Sequence, residues 1–265
     1  MSEQPLQSPQ SFVVRQECDK ATFQNGYRKP LGESAGWAAY ASTTAHGVIN
    51  LAAASPLGPW FLALDHPGVI QDLNLSKADV PGPGLARYAF NTLGALYKIL
   101  PRVYRLAVSL PDAPLLAFQA KVKDLPKTTE AERLIVQRVG QDIFRAALDN
   151  YWGGACAITG ITDRALLRAS HIKPWADCET DEERLDVHNG ILLAAHFDAA
   201  FDAALITFAK DGSLLYSQRL SANALAMLTR PNAIAINLSD EHQRYLDHHR
   251  VRFAASNTAD AVNPK

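Results

Sequence analysis

Two neighbouring segments constrain this chain more than any other feature. Residues 169–175 read ASHIKPW, and residues 188–202 read HNGILLAAHFDAAFD. The first ends a β-strand pattern at His171, and the second combines an Asn-Gly turn, a short apolar strand ILLA and a helix that starts near Phe197. The runs CAITGI and LLRASHI, joined by a polar turn, predict a hairpin that leads into this region. The sequence therefore predicts a β-hairpin and helix unit with a histidine at a strand end.

The chain as a whole divides into four parts. Of its 265 residues, 48% are apolar and 20% are charged, which is typical of a globular protein. We predict an α+β fold, in which an N-terminal α+β domain precedes the domain that carries the two segments. The predicted parts are an irregular N-terminal arm at 1–34, an α+β target-recognition domain at 35–125, the second domain with a leading helix at 126–220, and a helical C-terminal extension at 221–265.

Local patterns supply the elements of these parts. Short apolar runs between residues 36 and 65 predict two or three strands, and a helix is predicted to start at HPGVIQDLN. Helical spacing predicts a helix over 84–100, and the runs YRLAVSL and LLAFQAKV predict two further strands. A strong amphipathic helix opens at TTEAER, and the adjacent His248 and His249 are expected on the surface of a C-terminal helix.

Composition excludes several classes of protein. The chain contains no apolar run of roughly eighteen residues, and its first ten residues lack the features of a secretory signal, so we expect a cytoplasmic protein without a membrane partner. The three cysteines are scattered and form no C-x-x-C pair, which predicts neither a disulfide framework nor a structural zinc knuckle. The net charge is -1, and residues 127–220 are acidic. Binding of DNA must then depend on local basic patches or on a metal ion.

The two segments, together with RVGQDIFRAAL and YWGGACAITGI further upstream, resemble the HNH nucleases, in the branch that carries S-H-I-K-P-W and N-G-x-L-L signatures. The resemblance extends over about residues 131–218 and rests on three motifs in the same order. It implies the ββα-metal fold and metal-dependent hydrolysis of phosphodiester bonds in DNA.

His171 is the candidate general base of such a reaction. Hydrolysis of a phosphodiester requires a deprotonated water and positive charge on the developing phosphate dianion. A neutral imidazole at a strand end, next to the small residue Ser170, can accept the proton of that water. Asn189 is the second catalytic candidate, and we expect it to fix the histidine tautomer or the loop through hydrogen bonds to backbone groups.

The predicted metal ligands are His196 and Asp198. Asp198 lies nine residues after Asn189, where the family usually has its helix histidine, and His196 coordinates instead or as well. Asp202, one turn after Asp198, is a possible ligand or only a helix cap. Ser170 is a further possible ligand position, because many relatives carry an Asp or His there. Such a set suits Mg²⁺ or Mn²⁺.

Basic side chains near the two segments are candidates for contact with DNA. They are Lys173, Arg138, Arg145 and Arg168. The alternative is that the arginines form a solvated helix face and that Lys173 belongs to a turn whose Trp175 packs on the core.

We therefore expect a metal-dependent DNA endonuclease of the restriction type. Its N-terminal domain would read a base sequence or a modified base, and a homodimer would cut both strands. Two alternatives stay open. The domain could be a catalytically silent HNH-fold module that binds DNA or a partner, an idea suggested by Ser170. The nuclease could also be gated by a ligand in the N-terminal half, which lacks a basic stripe.

Overall fold

A computed structural model describes residues 6–110, 112–123, 125–126, 129–229 and 235–259. The chain divides into two compact units, Met1–Leu110 and Pro111–Lys265. Within the described ranges, no helix is both long and apolar enough to cross a lipid bilayer. Helices and antiparallel sheets make up both units, so the predicted α+β class is confirmed.

Unit 1 is built on a five-stranded antiparallel sheet whose strands follow one another in sequence order. Its elements are α1 (Phe12–Gln24), β1 (Lys29–Ser34), β2 (Trp37–Ala41), β3 (Val48–Ala53), β4 (Trp60–Leu64), α2 (Pro67–Leu73), β5 (Ala86–Phe90) and α3 (Leu93–Ser109). Alternation along the strands puts Tyr40, Leu51 and Leu62 on one face, which α1 and α3 cover. The predicted strands between 36 and 65 and the helix with a proline at its start are confirmed.

The expectation of an irregular arm at 1–34 is wrong, because residues 12–24 form α1 and residues 29–34 form β1. Ser11 caps α1 by accepting a hydrogen bond from the backbone N–H of Val14. A narrow stripe of this helix is buried, namely Val14, Cys18, Ala21 and Thr22. Apolar Phe12, Val13 and Phe23 are exposed instead, so the helical periodicity is weak in the sequence.

Two further expectations in the front half are wrong. The region predicted as one helix at 84–100 contains β5 and then, after the capping residue Thr92, the start of α3. The two predicted strands are helical, since YRLAVSL lies in α3 and LLAFQAKV lies in α4 (Asp112–Val122). Short apolar runs do not distinguish a strand from a helix with one buried face.

Unit 2 contains the segments 169–175 and 188–202. Its further elements are α5 (Glu130–Tyr151), β6 (Leu167–His171), α6 (Asp181–Leu185), β7 (Gly190–Ala194), α7 (Ala195–Asp202), β8 (Ile206–Phe208), β9 (Leu214–Tyr216), α8 (Ala222–Leu228) and α9 (Asp240–Ala259). Thr129 and Glu132 form a reciprocal capping box at the start of α5, as the sequence indicates.

The boundaries of unit 2 differ from the predicted ones at both ends. The unit begins at residue 111 instead of 126, because α4 packs against α5 and α6. The C-terminal part is no separate extension, since α9 packs against β8 and buries Tyr245 and Leu246 in the same core. CAITGI is also not a strand. It closes on itself through hydrogen bonds from the Cys156 N–H to the Ile161 carbonyl and from the Gly160 N–H to the Cys156 carbonyl.

The expected surface position of His249 is wrong, and its burial makes stability depend on pH. Its side chain is 1% exposed, its ring stacks on Phe201 at 3.7 Å, and its nitrogens lie 2.9 Å from the Thr207 hydroxyl and from the Phe201 carbonyl. Burial lowers the pKa of His249 to about 4, although the hydrogen bond to the carbonyl favours the protonated ring.

We predict that the free energy of unfolding falls as the pH is lowered from about 6.5 to 4. The unfolded chain protonates this ring near pH 6.5 and the folded chain only near pH 4, so stability is fully present above the unfolded pKa and is lost below it. One such group gives a slope of up to about 1.4 kcal/mol per pH unit. Urea titrations at several pH values should show a smaller slope for His249→Gln, and equal slopes would contradict the prediction.

Candidate active site

The site is built on the hairpin of β6 and β7. The two strands pair antiparallel from Leu167 opposite Ala194 to His171 opposite Gly190, and α7 follows β7 without a linker. α5 packs across both strands and α7 packs on them as well. A hairpin and helix unit is therefore present as expected, although its first strand is β6 and not CAITGI.

Two glycines allow α5 to approach this hairpin closely. A Cβ atom at Gly190 would lie 2.5 Å from the ring of Phe144, and one at Gly140 would lie 2.7 Å from the indole of Trp175. Both distances are too short for real carbon contacts, so any side chain would force the elements apart. The glycine of the Asn-Gly pair is thus required by the packing of α5.

His171 lies at the end of β6 in a partly buried position. Its ring stacks on Phe144 at 3.8 Å and meets the edge of Trp175 at 5.5 Å. Its Nε2 is 3.0 Å from the backbone carbonyl of Arg184. Because a carbonyl oxygen only accepts hydrogen bonds, Nε2 carries the proton and Nδ1 keeps its lone pair. Among the described residues, none forms a hydrogen bond with Nδ1, which can thus accept a proton.

The environment also fixes the charge of His171. Burial lowers the pKa of His171 to about 4, although the hydrogen bond to the Arg184 carbonyl favours the protonated ring. At neutral pH the imidazole is therefore uncharged. A neutral ring with one oriented, unprotonated nitrogen is the form that a general base needs.

Asn189 is completely buried and holds the loop that carries this carbonyl. Its Oδ1 accepts from the N–H of Lys173 at 2.8 Å, and its Nδ2 donates to the carbonyls of Lys173 and Glu183 at 3.2 and 3.0 Å. The Glu183 carbonyl directly precedes the residue that accepts from His171. The hydrogen bonds of the Asn189 side chain thus order the loop, and they run to backbone groups and to the thiol of Cys178.

A second buried network holds the turn just before Asn189. Asp186 accepts hydrogen bonds from the backbone and ring of His188, at 2.9 and 3.0 Å, and from Arg244 and Tyr245 of α9, at 2.6 and 2.9 Å. Burial opposes ionisation of Asp186, but the bonds from His188 and Tyr245 outweigh it and lower its pKa to about 2. A charged carboxylate therefore ties the 3-10 turn Val187–Asn189 to α9.

The helix α7 carries the acidic candidates. Asp198 and Asp202 are one turn apart, and the pKa of Asp202 is raised by desolvation and by the negative charge of Asp198. His196 is only two residues from Asp198, so the two side chains leave the helix in different directions, and its ring lies 4.5 Å from that of Phe197. The geometry therefore favours Asp202 over His196 as a second metal ligand beside Asp198.

The side chains of α7 and Ser170 offer oxygen atoms that suit a hard cation, although the described residues form no complete coordination site. In the part of the chain that the structure describes, no three His, Cys, Asp or Glu side chains gather as metal ligands. The Ser170 hydroxyl is buried on β6, on which α7 packs, and forms no hydrogen bond with any described residue. Two carboxylates that repel each other and an orphaned hydroxyl make an oxygen-rich set, which suits Mg²⁺ or Mn²⁺.

The basic candidates fall into two groups. Lys173 is neutralised, because its ammonium lies 2.9 Å from the carboxylate of Glu183. Arg138 is exposed on α5. Arg145 and Arg168 both donate to the carbonyl of Leu167, at 3.4 and 2.8 Å, which brings two exposed guanidinium groups together at the start of β6.

An antiparallel hairpin joined directly to a helix, with a neutral histidine at the strand end, is the arrangement of a ββα nuclease domain. Residues 156–209 match the family model HNH_2, described as HNH endonuclease, and the chain therefore carries an HNH endonuclease domain. The remainder of the chain lies outside this match. No curated protein is significantly similar to the chain.

Several residues that shape the site have no signal in the sequence. Phe144 belongs to the buried stripe of α5, and its stacking on His171 depends on tertiary packing. The Arg184 group that accepts from His171 is a backbone carbonyl, which any residue could supply, and the contacts of its side chain with the carbonyls of Trp175 and Cys178 depend on the fold. Arg244 and Tyr245 are 58 and 59 residues away from Asp186.

We predict that Asn189→Ala lowers the free energy of unfolding by about 2–4 kcal/mol, because it leaves several buried backbone groups of the loop without partners. Chemical denaturation measures the loss. Asn150→Ala is the matched control, since this asparagine is exposed on α5 and its side chain has no hydrogen bond with the described residues. Equal effects of the two substitutions would contradict the role given to Asn189.

Proposed function

We propose that this protein is a divalent-metal-dependent DNA endonuclease of the restriction type, with His171 as its general base. The observation that carries the proposal is the hydrogen bond from Nε2 of His171 to the Arg184 carbonyl, which leaves Nδ1 to accept a proton. The HNH match gives the reaction class, and the neutral ring supports the role.

The side chains around His171 control its orientation during proton transfer. Nδ1 takes a proton from the attacking water, and the imidazolium that results is stabilised by the carbonyl of Arg184, which accepts from Nε2. The stack on Phe144 restricts rotation of the ring. Asn189 keeps the accepting carbonyl in place through the adjacent Glu183 carbonyl.

Asp198 and Asp202, with the Ser170 hydroxyl, would hold the divalent ion, which supplies positive charge at the phosphate and at the leaving oxygen. The pKa of Asp202 is raised first by desolvation and then by the negative charge of Asp198, and the second contribution supports this assignment because a cation would relieve it. His196 is the less favoured ligand. Mg²⁺ and Mn²⁺ are the expected ions, because the donors are mainly oxygen atoms.

Arg145 and Arg168 are the proposed contacts to the DNA backbone. They are exposed and share one carbonyl, so their charges are close together, and neither forms an ion pair with a carboxylate among the described residues. Arg138 on the same helix extends this cationic surface. Lys173 contributes less, because Glu183 already compensates its charge.

The restriction-type role extends the proposal to the whole molecule. A separate folded unit precedes the nuclease unit, and we assign the choice of target to it. One ββα site cuts one strand, so cleavage of both strands would use a homodimer.

We predict that the protein cuts plasmid or phage DNA in the presence of Mg²⁺ or Mn²⁺ and that His171→Ala reduces the rate by about 10²–10⁴-fold. Gel assays with unmodified and cytosine-modified DNA, with EDTA as the metal-free control, measure the rate. His46→Ala removes an exposed histidine of unit 1 and should cut normally. A folded protein that cuts no substrate with either ion would favour the silent binding module, and an unchanged rate in His171→Ala would refute the assignment of the base.

We predict that Arg145→Gln and Arg168→Gln weaken DNA binding to a similar extent for all DNA sequences. Each substitution should reduce by about 1 the steepness with which the logarithm of the binding constant falls with the logarithm of the salt concentration. Binding is measured in EDTA at several salt concentrations. Arg164→Gln is the control, because this exposed arginine is already paired with Asp149 at 2.8 Å. An equal change of this salt dependence in Arg164→Gln would contradict a specific contact of Arg145 and Arg168 with the DNA backbone.

A further inference from the structure

Unit 1 contains a large open cavity on the face of its sheet that α1 and α3 do not cover. The cavity has a volume of about 1640 Å³ and is lined by strand residues and by the segment 77–83. Sites for single small ligands usually measure roughly 300–1,000 Å³. The cavity thus has room for a small ligand together with part of a larger molecule to which it is attached.

The floor of the cavity combines small side chains with one polar group. Ala39 pairs with Asn50, and Phe61 pairs with Ala89, so these residues lie in rows across the sheet on one face. Ala39 is half-buried and Ala89 is exposed, so these two alanines leave room for a flat molecule. Trp37 and Phe61, whose rings are 6.3 Å apart, are almost fully buried and support the floor from one side.

Asn50 places an unused amide in the floor. Its residue is only 7% exposed, it lines the cavity, and its side chain forms no hydrogen bond with the described residues. The amide is therefore reached only from the cavity, where a ligand could take the place of water. Asn50 offers one acceptor and two donor hydrogens, which match the hydrogen-bonding edge of a heteroaromatic ring.

The wall opposite the floor is held rigidly by its own contacts. The guanidinium of Arg87 donates to the carbonyls of Gly82, Pro83 and Gly84 at 3.1–3.2 Å, and the indole N–H of Trp37 donates to the Pro81 carbonyl at 3.2 Å. A Cβ atom at Gly82 would lie 2.5 Å from this indole. The wall is therefore formed before any ligand binds.

We propose that this cavity binds a nucleobase, which lies flat on the alanine floor and pairs its polar edge with the amide of Asn50. The paired donor and acceptor of an asparagine select one base edge.

The charged side chains around the cavity are consistent with an uncharged ring bound at its floor. Glu33 at the rim is engaged by Arg15 at 3.3 Å, and Lys77 and Asp79 are exposed on the wall. No concentration of positive charge marks the floor as an anion site. Lys77 is positioned to meet a phosphate attached to the bound base.

The base could belong to a free nucleoside or to DNA, and only the second source rests on the proposed nuclease function. Calorimetry with the full chain in EDTA tests the first source, with cytidine, 5-methylcytidine, thymidine, adenosine and guanosine as probes. A duplex that contains 2-aminopurine tests the second, because this base becomes brighter when it leaves the stack. EDTA prevents cleavage, so these results do not depend on whether the nuclease works.

Two variants of the cavity and one control make the test specific. Asn50→Ala removes the amide, and Ala89→Tyr fills the cavity from an exposed strand position where tyrosine is well accepted. Gln71→Ala removes an exposed amide of the same unit outside the cavity. Thermal melting verifies that each variant folds.

The expected result is binding of at least one base, as nucleoside or in DNA, that both cavity variants weaken by about tenfold or more and the control leaves unchanged. A fluorescence increase that both cavity variants abolish would identify DNA as the source. Binding of the nucleoside without such an increase would identify the free molecule. Absence of binding in both assays, or binding that Ala89→Tyr does not weaken, would overturn the proposal.

Discussion

One hydrogen bond, from the imidazole of His171 to the carbonyl of Arg184, decides which ring nitrogen of His171 carries the proton. The bond selects this tautomer only while the Arg184 carbonyl stays in place, and this carbonyl lies in the middle of the connection between β6 and β7. The connection is held at several points. Asn189 binds Lys173 at its beginning and the Glu183 carbonyl next to Arg184. The Arg184 side chain donates to the carbonyls of Trp175 and Cys178. The buried carboxylate of Asp186 then fixes the turn that presents Asn189.

The charge distribution of unit 2 reconciles an acidic segment with the proposed cleavage of DNA. Many of its carboxylates are used internally, as in the pairs of Asp186 with Arg244 and of Glu183 with Lys173. These pairs reduce the negative field that a phosphate would meet. The net charge of a segment therefore says less about a partner than the few charges left uncompensated at the site.

The sequence allowed part of this architecture to be predicted. Spacing and turn residues were sufficient for β6, β7 and α7, because a strand end, an Asn-Gly pair and a helix start leave local signals. The capping box of α5 is equally local. The helical nature of α3 and α4 was missed, since one apolar run suits a strand and a buried helix face alike.

The details of the site required the folded chain. Whether Asn189 touches substrate or only backbone depends on how the connection before it folds, and no spacing rule contains that information. The same holds for the choice between His196 and Asp202, which depends on the directions in which α7 presents its side chains. Asn50 shows the limit in unit 1, where an ordinary strand residue becomes noteworthy only because the folded chain places it in the lining of a cavity.

The tie between Asp186 and α9 has a consequence for the order of synthesis. Arg244 and Tyr245 are added to the growing chain long after His171 and Asn189, yet they hold the turn from which the histidine is oriented. A nascent chain that lacks α9 contains every residue of the HNH motif without the contacts that align them. The contacts that hold this turn can therefore form only after α9 has been synthesised and has docked.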